Sequence, residues 1–165
     1  MICNVRVDHR LLHGQVVFTW IRSLGADCTL LACDDAATNE VRKTMLKLTN
    51  PVGNKLVIKT VEDSIKAINS GVTDKYKLFI VVESIEDAEK LALGCDRIKG
   101  VTLGGTKPRP DADKTMNRVI FCTDEDLESL QNMVEYGIDL VSQQVPSDPK
   151  VIVDMDLISR TKEGN

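Results

Sequence analysis

Short apolar runs and helix-period segments alternate along this chain from one end to the other, and that alternation limits the fold more than any other feature. Runs at Ile2–Val7, Cys28–Cys33, Lys55–Lys59, Lys77–Val82, Gly100–Leu103, Arg118–Phe121 and Ile138–Gln144 read as strands. Helices are expected between them, the first over about Gly14–Leu24. A second, about Ala36–Leu48, follows Asp34 and Asp35 as candidate caps and carries Val41, Met45 and Leu48 at i, i+4, i+7 as its core-facing stripe. A third covers about Val61–Asn69 and stops at Gly71, and a fourth, about Ile85–Leu93, ends at Gly94. The fifth begins at the cap Thr123, with Asp126 three residues on, and ends at Gly137. Strands separated by helices pair in parallel through right-handed crossovers, so both sheet faces are covered. The expected fold is α/β, a three-layer doubly wound and mainly parallel sheet, in a single domain over 1–165.

Composition narrows the function classes. Aromatics are only 4% of the 165 residues, which leaves an aliphatic core suited to such a sheet. The net charge of −4, with no Lys/Arg run interleaved with aromatics, excludes a nucleic-acid binder. Charge is nevertheless uneven. Residues 1–25 carry Arg6, Arg10 and Arg22 against Asp8, and residues 104–118 carry Lys107, Arg109, Lys114 and Arg118 against Asp111 and Asp113. Each stretch is +2, leaving −8 elsewhere, a pattern that suits a small anion or an acidic partner surface. Five cysteines form no CxxC pair, their odd number argues against a closed disulfide framework, and several sit inside apolar runs where a free thiol packs as a small hydrophobe. No signal-peptide core and no apolar run near 18 residues is present, so a cytosolic protein without membrane insertion is expected.

The segment Val5–Val16, VRVDHRLLHGQV, concentrates the chemistry. A strand ends, a polar loop follows, and a helix begins near Gly14, at the edge where parallel sheets bind ligands. The free amides of Gly14, Gln15 and Val16 would point at an anion held near His13, and Arg10 supplies a planar fork suited to phosphate. A histidine near a helix start is ordinarily a surface or capping residue; its neighbours set His13 apart. His9 and His13 also have i, i+4 zinc-ligand spacing, but Arg10 stands where a catalytic Glu would be and the chain has no third His, so no metal and no cofactor are expected. The segment Gly104–Asn117 opens with Gly104, Gly105, Thr106 and Lys107 but lacks phosphate-loop spacing. It is either a flexible connector or a loop bringing Lys107 or Arg109 over the anion at His13. Cys33 and Cys122 have no His partner and are poor nucleophile candidates.

VRVDHRLLHGQV resembles the signature of enzyme IIB components of the mannose/fructose/sorbose family of the bacterial phosphoenolpyruvate-dependent sugar phosphotransferase system. Arg6, Asp8, Arg10, Leu11, His13, Gly14, Gln15 and Val16 fit that pattern. Trp20, Asp34–Asp35, Leu103–Gly104–Gly105 and Gln144–Val145–Pro146 extend the resemblance over nearly the whole chain. It departs at His9, where many members carry a second Asp, and at Leu48–Pro51, where an Ala-rich version is usual. The resemblance implies a phosphotransferase that works through a phosphohistidine at His13, with Arg10, Gly14, Gln15 and Asp8 around the phosphate and the 104–109 loop as a second element. It implies the IIA component as phosphoryl donor and membrane IIC/IID components as the sugar side, the only link to the membrane. It also implies an antiparallel edge strand, a role that suits the segment 138–144, and leaves open whether copies associate. A non-catalytic regulatory or anion-sensing module of the same fold is the alternative, and the intact Arg10–His13–Gly14 set counts against it.

Overall fold

In the computed structural model, which describes residues 1–164, seven strands form one sheet. They are β1 (Ile2–Asp8), β2 (Cys28–Ala32), β3 (Lys55–Lys59), β4 (Leu78–Val82), β5 (Gly100–Gly105), β8 (Asp139–Ser142) and β9 (Val151–Ile152), in the order β3-β2-β4-β1-β5-β8-β9. All neighbours run parallel except β9, which pairs antiparallel with β8. The strand β4, Leu-Phe-Ile-Val-Val, is buried at all five positions, because helices cover it on both sides. On one face α4 (Val61–Ser70), α5 (Ile85–Gly94), α6 (Asp124–Tyr136) and α7 (Met155–Glu163) bury Ile68, Leu91, Leu130 and Ile158 against Val5, Val7 and Ile80. On the other, α1 (Gly14–Leu24), α2 (Asp34–Thr38) and α3 (Glu40–Leu48) pack Val17, Trp20, Ala36 and Leu46 on Leu31, Phe79 and Val81. The connection after β1 thus leaves over one face and that after neighbouring β4 over the other. The carboxyl ends of these two strands open to a crevice, the usual ligand position in such sheets.

The mainly parallel, doubly wound sheet with an antiparallel edge is the fold the sequence led us to expect, but several elements differ. The segment 138–144 is not the antiparallel edge: β8 pairs parallel with β5, and the two-residue β9 takes the edge. Residues 118–120 are not a strand. Asn117 Oδ1 accepts from the amides of Val119 and Ile120, shaping a turn, and only Phe121–Cys122 (β7) pairs, with Lys114–Thr115 (β6), in a separate hairpin. The helix expected over 36–48 breaks at Asn39, whose side chain accepts from the Arg42 amide and starts α3 afresh. Neither Asp34 nor Asp35 caps α2; Cys33 Sγ does, at 3.5 Å from the Ala36 amide, while Asp34 accepts from the Val61 amide at the head of α4. Val41, Met45 and Leu48 face solvent, and α3 buries Leu46 instead. The Thr123–Asp126 capping box and the left-handed Gly137 bracket α6 as the spacing predicts. The C-terminal α7, capped by Asp154, lies outside the helices expected from the sequence.

Candidate phosphoryl-transfer site

The site is built from the end of β1 outward. Arg6 is 2% exposed, and its guanidinium donates to the carbonyls of Gln143 and Gln144, at 2.9 Å each. It also lies 3.5 Å from Asp8 Oδ2 and 5.0 Å from the centre of the Trp20 ring, and the Trp20 indole donates to the Gln144 carbonyl at 3.0 Å. Burial pushes the Arg6 pKa down while Asp8 pulls it back up. A side chain on Gly104 would collide with this guanidinium, which explains that glycine. A buried arginine so enclosed fixes three segments, β1, α1 and the loop after β8, against one another.

Asp8, buried beside it, controls the loop that follows. Its Oδ1 accepts from the Arg10 amide at 3.1 Å and sits 3.7 Å from Arg10 Nε, and its carbonyl accepts from the Leu11 amide at 2.9 Å. The turn forces Leu11, wholly buried, into a left-handed backbone at φ 57, a conformation that L residues adopt only when the surroundings impose it. Gly14, at φ 50, is the second left-handed position, and here glycine removes the cost. Residues 9–13 are therefore a turn and not a helix, so the i, i+4 spacing of His9 and His13 has no zinc-binding meaning.

His13 occupies the cap position of α1, exposed, with an extended backbone and no hydrogen bond from its side chain to the helix. The first amides of α1, those of Gly14, Gln15 and Val16, have no intrahelical acceptor and no capping side chain. The positive end of the helix is thus presented beside a free imidazole, a setting worth about 0.3–1 kcal/mol to an anion. Arg10, with 40% of its side chain exposed, keeps its outer guanidinium edge available while Asp8 steadies the inner one. Asp8 itself is an acceptor only and carries the wrong sign to touch phosphate; its geometry is that of a group that positions Arg10.

The second loop begins against the first. The His9 amide donates to the Gly105 carbonyl at 3.1 Å, and Lys107 lines a cavity of about 1040 Å³ together with His9. Partial burial pushes the His9 pKa down, Arg10, Lys107 and His13 push the same way, and Asp8 opposes them. His13 stands outside this cavity, on the open surface. The remaining members of the second loop are committed elsewhere. The Thr106 hydroxyl donates to the Phe121 carbonyl at 2.9 Å and accepts from its amide at 2.7 Å. Arg109 turns to Asp111 at 3.4 Å and Asp126 at 3.9 Å, all three lining the same cavity. The cavity is also lined by a network that local sequence patterns do not reveal, Arg42 between Asp35 at 2.8 Å and Glu83 at 2.9 Å. Cys33, Cys95 and Cys122 are poor nucleophiles: burial pushes Cys33 and Cys95 up to about 11 and Cys122 up to about 12.

Comparison with known proteins identifies the family and the fold. Residues 2–164 match the family model for the sorbose subfamily IIB component of the phosphotransferase system. A probable phosphotransferase enzyme IIB component of Streptococcus pyogenes is 33% identical over 92% of this chain and 96% of its own length. The mannose-specific EIIAB component of Escherichia coli is 29% identical over 94% of this chain, which spans 47% of that longer protein. Among solved structures, the IIBSor domain of the sorbose permease from Klebsiella pneumoniae superposes with a TM-score of 0.90 at 25% identity, covering 98% of both chains. With a matching signature, fold and near-complete family alignment, the chain belongs to the sorbose subfamily of IIB components of the bacterial sugar phosphotransferase system.

Proposed function

We propose that this chain is a phosphocarrier in which His13 accepts a phosphoryl group from a phosphohistidine of the IIA component and passes it to a sugar held by membrane IIC/IID components. The observation that carries this reading is the exposed His13 imidazole at the uncapped head of α1, beside an Arg10 fork that Asp8 positions. In the first step a lone pair on one His13 ring nitrogen attacks phosphorus, and the P–N bond to the donor breaks with its electron pair returning to the donor imidazole. In the second, a sugar hydroxyl oxygen attacks, the P–N bond to His13 breaks, and the hydroxyl proton leaves to a base on the acceptor side. Such a loose transfer needs positioning and charge neutralisation more than acid–base help. Arg10 and the amides of Gly14 and Gln15 supply both. Lys107, reaching from the second loop, adds positive charge on the side where the donor docks. No described helix is long and apolar enough to cross a membrane, which fits a carrier working at the cytoplasmic face through its partners.

The test is incubation with phosphoenolpyruvate, the general transfer proteins and IIA, followed by addition of membranes containing IIC/IID and sugar. The reading expects an acid-labile phosphoryl group on this chain that then appears on sugar. Labelling without onward transfer would favour the signalling module, and no labelling would overturn the carrier.

A further inference from the structure

His9 stands at the seam of the two loops. Its amide donates to the Gly105 carbonyl, and a Cβ placed on Gly105 would lie 4.0 Å from the His9 Cδ2 atom, so the half-buried imidazole rests against that glycine and opens to the cavity. The charges that act on the ring come from both loops: Asp8, Arg10 and His13 on its own, and Lys107 on the second. The other charged groups of the cavity are mostly committed. Arg42 is shared by Asp35 and Glu83, and Arg109 by Asp111 and Asp126. Glu86 pairs with Lys90 at 2.9 Å, and Glu125 is exposed on the first turn of α6. Burial holds the His9 pKa below its ordinary value, Arg10 and Lys107 add to that, and Asp8 opposes them, so at neutral pH the ring is uncharged.

We propose that His9 is the proton partner of the phosphoryl group: neutral while His13 is free, it binds one proton when His13 is phosphorylated and returns it when the group leaves. The inference rests on the carrier reading and deepens it. A phosphoryl group brings roughly −1.5 to −2 of charge to His13, and the through-space push of that residue on His9 then changes sign. The transfer itself consumes no proton, since one P–N bond replaces another; the proton on His9 comes from solvent, through the open cavity. Such timing suits a carrier. Arg10, Lys107 and the α1 amides are positive whether the site is full or empty. A further permanent cation would repel them in the empty site and hold the group too tightly in the filled one. A histidine at the seam supplies its charge only while the anion is present. The coupling is reciprocal, so acid favours the phosphorylated chain by the same factor as phosphorylation favours protonated His9.

Two measurements test the coupling. In the ¹⁵N-labelled natural chain phosphorylated through IIA, the His9 ring should titrate at higher pH than in the unphosphorylated chain. Superimposable titration curves overturn the inference and leave His13 as the carrier, whereas a chain that takes no label at His13 overturns both. The second measurement is the equilibrium share of phosphoryl between IIA and this chain, followed from about pH 8 to about pH 5.5 across the ordinary histidine range. IIA titrates as well, so His9→Gln is the reference. Acidification should move the group toward the natural chain by roughly threefold to tenfold more than toward the variant. Equal slopes overturn the inference. His9→Lys, with its permanent cation, should favour the phosphorylated chain over the whole range without the added slope, an outcome that a purely structural role for the ring does not give.

Discussion

Two loops meet at the carboxyl edge of the sheet, and they handle their charge in opposite ways. The first, from Asp8 to Gly14, is short and over-determined: one buried carboxylate holds the Arg10 amide and faces two guanidinium groups, and Leu11 is driven left-handed to keep the turn. Its rigidity leaves His13, the outer edge of Arg10 and the α1 amides with nothing to bind internally. The second, 106–120, is longer and carries a net charge of +2 where the first carries none, yet it neutralises most of that charge itself. Arg109 faces Asp111 and Asp126, Lys114 faces Asp113, and the Thr106 hydroxyl closes on Phe121. The loop with the smaller net charge is therefore the one poised for an anion, and the more basic loop is mostly self-satisfied. What distinguishes them is whether a buried group anchors the charge from behind.

The contrast can be broken at graded points. His13→Ala should abolish phosphoryl acceptance while leaving the melting temperature nearly unchanged, because the imidazole is exposed; labelling at normal stoichiometry would remove His13 from the mechanism. Arg10→Lys keeps the charge but loses the two-pronged fork, and should slow transfer from IIA by roughly tenfold to a thousandfold in rapid-quench kinetics. Lys107→Glu with Arg109→Glu should slow the same step less, by about tenfold or under, and most at low ionic strength, since Arg109 already answers to acids. Thr106→Val should leave transfer intact and cost about 1–3 kcal/mol of stability in urea melts, because both backbone groups of Phe121 lose their partner.

The smallest effect is at the seam. His9 has its pKa held below the usual 6.5, chiefly by burial, so the folded chain binds fewer protons there than the unfolded chain. That contribution is favourable above the unfolded pKa and falls away as pH drops below it. His9→Gln should therefore flatten the decline in stability on acidification through that window, and parallel pH profiles for both proteins would contradict the assignment.

The pattern of what could be read from the chain follows from where each signal lives. Alternation of buried strands and the caps at Thr123 and Gly137 are local, and they survive folding unchanged. The stripe of Val41, Met45 and Leu48 has the same period as a core stripe, and periodicity reveals an apolar side without naming what covers it. Asn39, which divides α2 from α3, acts through a single side-chain bond inside a continuous helical pattern. The edge strand β9 is two residues long and offers too little alternation to detect. At the site, His13, Arg10 and Gly14 stand together within five residues and were legible. The role of Arg6 was not, because its acceptors, the carbonyls of Gln143 and Gln144, lie more than 130 positions away.

The central claim is that the phosphoryl group resides on His13. The chain has only two histidines, so a ¹⁵N-labelled sample phosphorylated through IIA gives two imidazole spin systems to follow. The account predicts phosphorus coupling to a ring nitrogen of His13 with His9 uncoupled. Coupling at His9, or a phosphoryl group on any residue other than histidine, would contradict it.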